Sequence, residues 1–409
     1  MTSTLAQTNA PLKGIRVLDF TSVVMGPYAT QLLASLGAAV TKVESPDGDN
    51  MRNVAPMRNG GMGNIFLQAN QGKRSIVLDL KQKAAQDVAL RLASETDVLI
   101  SNVRPKAMAR LGLDYEAVRS INPKIVYVSC VGFGQDGPYA DRPAYDDLIQ
   151  SASGIPWLME EYGATDPSYV PLTISDRVAG LHAVYAVTTA LFARERDHGL
   201  GQHVTVPMFE IMSQMILGDH LGGETFVPPQ GQVGYARLLT PYRRPYRTKD
   251  GLLAVIIYND KHWAKFFDAI GEPQRIHTDP RFSSHRARSE NIHEVYEEVA
   301  RLMRLRTTAE WQALFDAADI PNMKVNTPAE LLDDPHHRAT GFIRKSLHPS
   351  EGELHVIGAP TKWSRTPPCD GLRPAPRLGE HSVEVLIEAG YSEAEVSALR
   401  DSGACYMAK

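Results

Sequence analysis

The strongest constraint on this chain is its opening alternation of short β-rich apolar runs with helical repeats. Gly14-Ile15-Arg16-Val17-Leu18-Asp19-Phe20 reads as a strand, Tyr28 to Leu36 as a helix closed by Gly37, and Ala38 to Glu44 as a second strand. Pro27 suits the first helical turn, where its missing N–H has no partner to lose. Strands joined through a helix cannot pair as a hairpin, and such a crossover aligns them in parallel. The alternation continues: strand Ser75 to Leu80, helix Lys81 to Thr96, strand Asp97 to Ser101, helix Tyr115 to Ile121, strand Ile125 to Val131. The expected class is therefore α/β with a parallel sheet.

Beyond a glycine-rich loop at Gly132-Phe133-Gly134-Gln135-Asp136-Gly137-Pro138, the pattern gives a helix over Asp147 to Ser153. A long helix follows over Arg177 to Arg196, then strand His203 to Val206 and helix Met208 to Leu217. Composition shifts at Gly218 to Arg247, which is rich in Gly, Pro and Arg and reads as a long connection. A second unit follows, with strand Leu252 to Tyr258 and helices Lys261 to Ile270, Asn291 to Leu305 and Thr308 to Ala318. Gly341 to Lys362 reads as β-rich and Glu380 to Leu399 as helical. A chain of 409 residues suits two or three domains.

The formal net charge of -4 gives no bulk attraction to nucleic acid, so an anionic ligand needs local cations. Cys130, Cys369 and Cys405 are too far apart for a zinc site or a disulfide framework. Met1 to Leu12 lacks the apolar core of a signal peptide, and no apolar run reaches the roughly 18 residues of a membrane span. A reducing, cytoplasmic setting is expected.

Several constellations carry chemistry. The first strand–helix turn, Val23-Val24-Met25-Gly26-Pro27, offers one glycine where a dinucleotide fingerprint needs three. Its helix start could face an anion, or Gly26 and Pro27 could simply turn the chain. Lys73-Arg74 and Arg104-Pro105-Lys106 with Arg110 are short basic clusters at strand–helix loops, suited to phosphates or to a solvated face. Arg237, Arg243, Arg244 and Arg247, interleaved with Tyr235, Tyr242 and Tyr246, suit either a carboxylate or an interface. Asp176 precedes a long helical pattern, where it reads as an N-cap or as a reactive carboxylate kept ionised by the helix start. His336-His337 and His355 lack metal-ligand spacing, and no Gly-x-Ser-x-Gly elbow appears, so metal-free chemistry is expected.

In order along the chain stand Gly26-Pro27-Tyr28-Ala29, Gly37-Ala38-Ala39-Val40-Thr41-Lys42-Val43-Glu44, Gly72-Lys73-Arg74-Ser75-Ile76 and Asn102-Val103-Arg104-Pro105. The glycine-rich loop at Gly132 follows, then Ala144-Tyr145-Asp146, Ser175-Asp176, Gly199-Leu200-Gly201-Gln202 and Leu378-Gly379-Glu380-His381. Together, over nearly the whole chain, they resemble the class III coenzyme A-transferases, the CaiB/BaiF or formyl-CoA transferase family. The resemblance implies a Rossmann-like large domain formed by both chain ends, residues 1–221 and 332–409. It also implies a smaller inserted α+β domain at 222–331 and an interlocked homodimer. It implies that Asp176 is the nucleophile, forming an aspartyl mixed anhydride and then an aspartyl-CoA thioester. CoA contacts are implied at Val24, Met25, Lys73, Asn102, Val103, Arg104 and Arg110, and a substrate-lining pair at Tyr145 and Asp146. CoA and acyl-CoA are then substrates, with no permanently bound cofactor.

Two departures bear on the substrate. Val24 stands where formyl-CoA transferase has a glutamine. Arg237 to Arg247 stand where it has a glycine-rich flap, so Arg243 and Arg244 are candidates for a dicarboxylate, with succinyl-CoA as donor. The racemases of the family use a histidine where Tyr145 stands. A phenol of pKa about 10 is a poor partner for abstracting a proton at neutral pH, which favours acyl transfer over epimerisation. A noncatalytic acyl-CoA-binding protein is the remaining alternative, and retention of Asp176 speaks against it.

Overall fold

The computed structural model describes residues 9–406, and the reading of Met1 to Leu12 falls largely outside them. The chain forms two compact units, Met1–Ser153 with Pro171–Gln214 and His336–Lys409, and Gly154–Val170 with Met215–Pro335.

The first unit is built on a seven-stranded sheet. Strands β1 (Arg16–Phe20), β2 (Ala39–Glu44), β3 (Lys73–Leu78), β4 (Val98–Ser101), β5 (Val126–Val131) and β6 (Gln202–Pro207) lie in the order 3-2-1-4-5-6. All are parallel, with Leu18 opposite both Thr41 and Leu99. Cys405–Tyr406 adds an antiparallel edge beside β3, which ties the end of the chain to its beginning. β4 and β5 are buried at every residue, as befits parallel strands covered on both faces. On one face Leu18, Ile76, Leu99 and Tyr127 pack with Val88 and Ala89 of helix Lys83–Ser94 and with Val385 and Leu386.

The strand order reverses between β1 and β4. In an open α/β sheet the crevice beyond the carboxyl ends of the strands at such a reversal receives the ligand. Two helices bracket it. Helix Ile174–Arg196 packs on helix Met25–Ser35 so closely that a Cβ on Gly180 would stand 2.8 Å from the Met25 carbonyl oxygen. Gly26 is needed for a like reason, because a Cβ there would overlap the Thr21 side chain.

The second unit has its own aromatic core of Trp263, Phe266, Phe267, Phe282, Trp311 and Phe315, with Trp311 stacked on Phe315 at 5.1 Å. Its sheet is small and antiparallel, formed by Tyr246–Arg247, Leu252–Val255 and Asn322–Lys324. The expected insert, 222–331, falls inside this unit, which begins at Met215, ends at Pro335 and also takes Gly154–Val170. That excursion is held by the Tyr162 hydroxyl, which donates to the Arg243 carbonyl at 2.5 Å, a partner far away in sequence. The β-rich stretch after Gly341 is a hairpin of Ile343–His348 and Gly352–Ile357 in the first unit. The single helix expected over Glu380 to Leu399 is two, Ser382–Glu388 and Glu393–Asp401. Gly390, in the left-handed region, and a capping box of Ser392 with Glu395 divide them. No helix among the described residues is long and apolar enough to cross a membrane.

Candidate active site

At the strand-order reversal lies a cleft of about 250 Å³. The turn after β1 contributes Ser22, Val23 and Met25, and the segment after β4 contributes Asn102, Val103 and Arg104. The end of β5 and the following loop contribute Cys130, Gly132, Gln135, Arg142 and Tyr145, and Asp176 faces the cleft as well. A second hollow of about 670 Å³ follows the carboxyl ends of β1 to β3 and shares Ser22, Asn50 and Val103 with the first.

Asp176 is not the N-cap expected from the sequence. The helix begins at Ile174, Thr173 occupies the cap position without a side-chain bond, and Asp176 sits within the first turn. Its backbone N–H donates to Asp146 Oδ1 at 2.9 Å, and Gln150 Nε2 donates to Asp146 Oδ2 at 2.7 Å. Asp146 is buried at the start of helix Asp146–Ala152, while Tyr145 just before it is 65% exposed. The expectation that the helix start holds Asp176 in the ordinary carboxylate range is also corrected. Burial pushes its carboxyl up to about 7, the neighbouring Asp146 adds to the rise, and Arg177 opposes it. Arg177 itself stacks on the Tyr28 ring at 4.6 Å.

Beneath the cleft lies a buried ionic layer. Lys73 is wholly enclosed, and its ammonium donates to Asp19 Oδ2 (3.1 Å), the Pro27 carbonyl (3.0 Å) and Asn70 Oδ1 (2.8 Å). Burial pulls it down to about 8, against the attraction of Asp19. Lys42 Nζ lies 2.9 Å from Asp49 Oδ2 and donates to the Thr21 carbonyl at 2.5 Å. Arg52 grips Glu44 with two bonds of 2.7 Å, and Ser75 Oγ donates to the same carboxylate at 2.6 Å.

These positions revise the sequence expectations residue by residue. Tyr145, Asp146 and Asp176 come together, and Met25, Asn102, Val103 and Arg104 line the same cleft. The Lys73 ammonium, its three donors engaged inside the protein, is not free to hold a phosphate. Arg74 is engaged by Glu384 and Glu388 at 3.2 and 2.6 Å. Val24 is buried, and Arg110 is exposed at the end of helix Pro105–Arg110 and absent from the cleft lining. Asn102 lines the cleft, but its carboxamide is engaged by the Ser22 backbone. Arg243 and Arg244 belong to the second unit, where with Arg237 and Tyr246 they line a hollow of about 200 Å³. Sequence reasoning missed Arg142, Cys130 and the buried Asp49. Among the described residues no group of three or more His, Cys, Asp or Glu is arranged to hold a metal ion.

The crevice of a doubly wound sheet is where such a fold receives its ligand, and a carboxylate facing it, with a second hollow adjoining, can serve as a nucleophile. The profile of CoA-transferase family III matches residues 12–382, and the chain belongs to that family. The succinate–glutarate CoA-transferase of Agrobacterium fabrum is 33% identical over 92% of this chain and 95% of its own length. The formyl-CoA:oxalate CoA-transferase of Escherichia coli is 31% identical over 97% and 100%. A CaiB/BaiF family protein from Brucella suis shares the fold with a TM-score of 0.78, at 29% identity over 93% of this chain and all of its own. This chain is accordingly a class III CoA-transferase, and CoA thioesters and carboxylic acids are its substrates.

Proposed function

We propose that the enzyme moves coenzyme A from a donor such as succinyl-CoA to a short carboxylic or dicarboxylic acid, with Asp176 as nucleophile. The observation that carries this is the Asp176 carboxyl, the acidic group that faces the cleft beside Tyr145. An Asp176 oxygen attacks the thioester carbonyl carbon, the C–S bond breaks, and CoA leaves as thiolate from a mixed anhydride. The thiolate attacks the aspartyl carbonyl and releases the donor acid, leaving an aspartyl-CoA thioester. The acceptor carboxylate attacks that thioester and frees the thiolate. The thiolate then takes the new acyl group and restores Asp176. The raised carboxyl fits this role, because a more basic carboxylate is a better nucleophile once ionised. Met25 and Asn102 to Arg104 would border the thioester end of CoA, with its nucleotide in the adjoining hollow, and no permanently bound cofactor takes part.

The acceptor class rests on Arg243 and Arg244, exposed residues that line a hollow of the second unit and whose side chains suit a second carboxylate. The name of the Agrobacterium relative, which pairs two dicarboxylates, agrees with this. The working form would be a cytoplasmic homodimer. Leu181, Tyr185 and Phe192 make an exposed apolar stripe on helix Ile174–Arg196, whose opposite face, Ala179, Ala183 and Val187, is already buried.

Asp176→Ala should lower transfer by at least about a thousandfold, the scale expected for loss of a covalent nucleophile, while CoA still binds. Mass spectrometry after incubation with acyl-CoA should find an adduct on the wild-type peptide carrying Asp176 and none on the variant. An active Asp176→Ala enzyme would overturn the mechanism. For the acceptor, Arg243→Ala and Arg244→Ala should each raise the KM of succinate or glutarate by about tenfold, the size of one lost charge-assisted bond, and leave acetate unchanged. Unchanged KM values for every acid would remove the arginines from the site.

A further inference from the structure

We infer that Asp49 is a positioning residue for the acyl-CoA donor, holding the turn after β1 in a strained shape at the edge of the cleft. The inference rests on the reading of that cleft as the thioester site and adds to it a residue that acts through Val23 and not on the reacting atoms. Val23 has φ +71° and is the one β-branched residue in the left-handed region among the described residues. Such a conformation persists only where the surroundings impose it. They do so through three consecutive backbone N–H groups, each held by a different side chain, one within β1, one just after β4 and one in the segment that follows β2. Thr21 N–H donates to Asp19 Oδ1 at 2.8 Å, Ser22 N–H to Asn102 Oδ1 at 2.9 Å and Val23 N–H to Asp49 Oδ1 at 3.1 Å.

Asp49 is itself fixed. Its Oδ2 faces the fully buried Lys42, its N–H donates to Glu44 Oε2 at 3.1 Å, and its Oδ1 also accepts from Met51 N–H at 3.0 Å. Glycine would adopt φ +71° without strain. Valine there instead keeps an apolar branched side chain on the cleft, and the carboxylate of Asp49 keeps that valine in place. Its loss should therefore loosen donor binding more than it slows the chemistry.

The test is steady-state kinetics with succinyl-CoA varied, on D49A, D49N, V23G and the D49A/V23G double variant. D49A should raise KM by about tenfold, the size of one lost hydrogen bond to a charged group, with kcat changed less than KM. D49N keeps the Oδ1 acceptor and should return KM to within about twofold of wild type, near the usual limit of additivity. In the V23G background, where glycine holds the turn unaided, removing Asp49 should change KM by less than about twofold. Should D49A not be recovered folded, K42M/D49L takes its place, since it leaves no buried cation unpaired. An unchanged KM in D49A, a D49N that behaves like D49A, or a full D49A effect persisting in V23G would each overturn the inference. D176A separates it from the mechanism: an active D176A defeats the nucleophile and leaves the clamp standing, while an inactive D176A beside an ordinary KM in D49A defeats the clamp alone.

Discussion

Two groups of buried charge lie at the carboxyl end of the large sheet, and they are arranged on opposite plans. The ionic layer holds Asp19, Glu44 and Asp49 against Lys42, Arg52 and Lys73, an equal number of each sign, with short bonds between them. Asp19 and Glu44 respond accordingly. Burial alone would raise Asp19, but Lys73, Lys42 and two threonine hydroxyls more than offset it, and Glu44 is lowered in the same way by Arg52. At the cleft, Asp176 faces the opening while the buried Asp146 carboxyl accepts from its backbone N–H, and Asp176 rises to about 7. Pairing makes charge structural, while leaving a carboxyl buried beside its like makes it responsive.

The contrast predicts stability effects of opposite sign. Lys73→Met removes a counter-ion that Asp19 needs inside the protein and should cost about 3–5 kcal/mol, read as a lower denaturant midpoint. A loss below about 1 kcal/mol would mean that the layer is not a mutually dependent network. Asp176→Ala should act the other way. A group whose carboxyl is raised on folding contributes stability at low pH and loses it as pH rises through about 7. The variant should therefore gain roughly 1–2 kcal/mol over wild type at pH 8, less than full linkage because the side chain is not sealed from water, and nothing near pH 4. A destabilised Asp176→Ala at pH 8 would erase the distinction.

The same contrast explains what could be read from the sequence. The five strands up to Val131 and the helices after β1, β3 and before β5 were legible because apolar periodicity and glycine stops are local signals, while the short helices Asn64–Ala69 and Pro105–Arg110 carry too few turns to show a period. Tyr145, Asp146 and Asp176 were legible as a set through the order of short motifs. Lys73 misled because Gly-Lys-Arg-Ser looks like an exposed basic loop. Its burial depends on Asp19 and Asn70, and nothing in the spacing marks them as partners. The Asp176 carboxyl misled for a matching reason, since its burial, and after that the nearness of Asp146, 30 residues earlier on another helix, are set by the fold. The φ of Val23 is set by Asp49 and by its neighbours in the fold, and a valine in a turn carries no local sign of it. The excursion Gly154–Val170 joins the second unit through contacts that local patterning does not encode.

The smallest expected effect is the most direct reading of the carboxyl pair. Plotted against pH, kcat/KM reports groups on the free enzyme, so it should fall on the acid side with an apparent pKa of about 7 as Asp176 takes up a proton. Asp146→Asn keeps an oxygen acceptor for the Asp176 N–H and removes only the like charge. Burial, the larger cause of the rise, remains, so the limb should move down only part of the way towards the ordinary carboxylate range. The plateau should fall modestly as well, because a less basic carboxylate is a weaker nucleophile. A limb that stays in place would make burial the whole cause. A limb that moves up would show that Asp146 stabilises the Asp176 carboxylate through the N–H contact, and the two carboxyls would then belong with the paired charges beneath them.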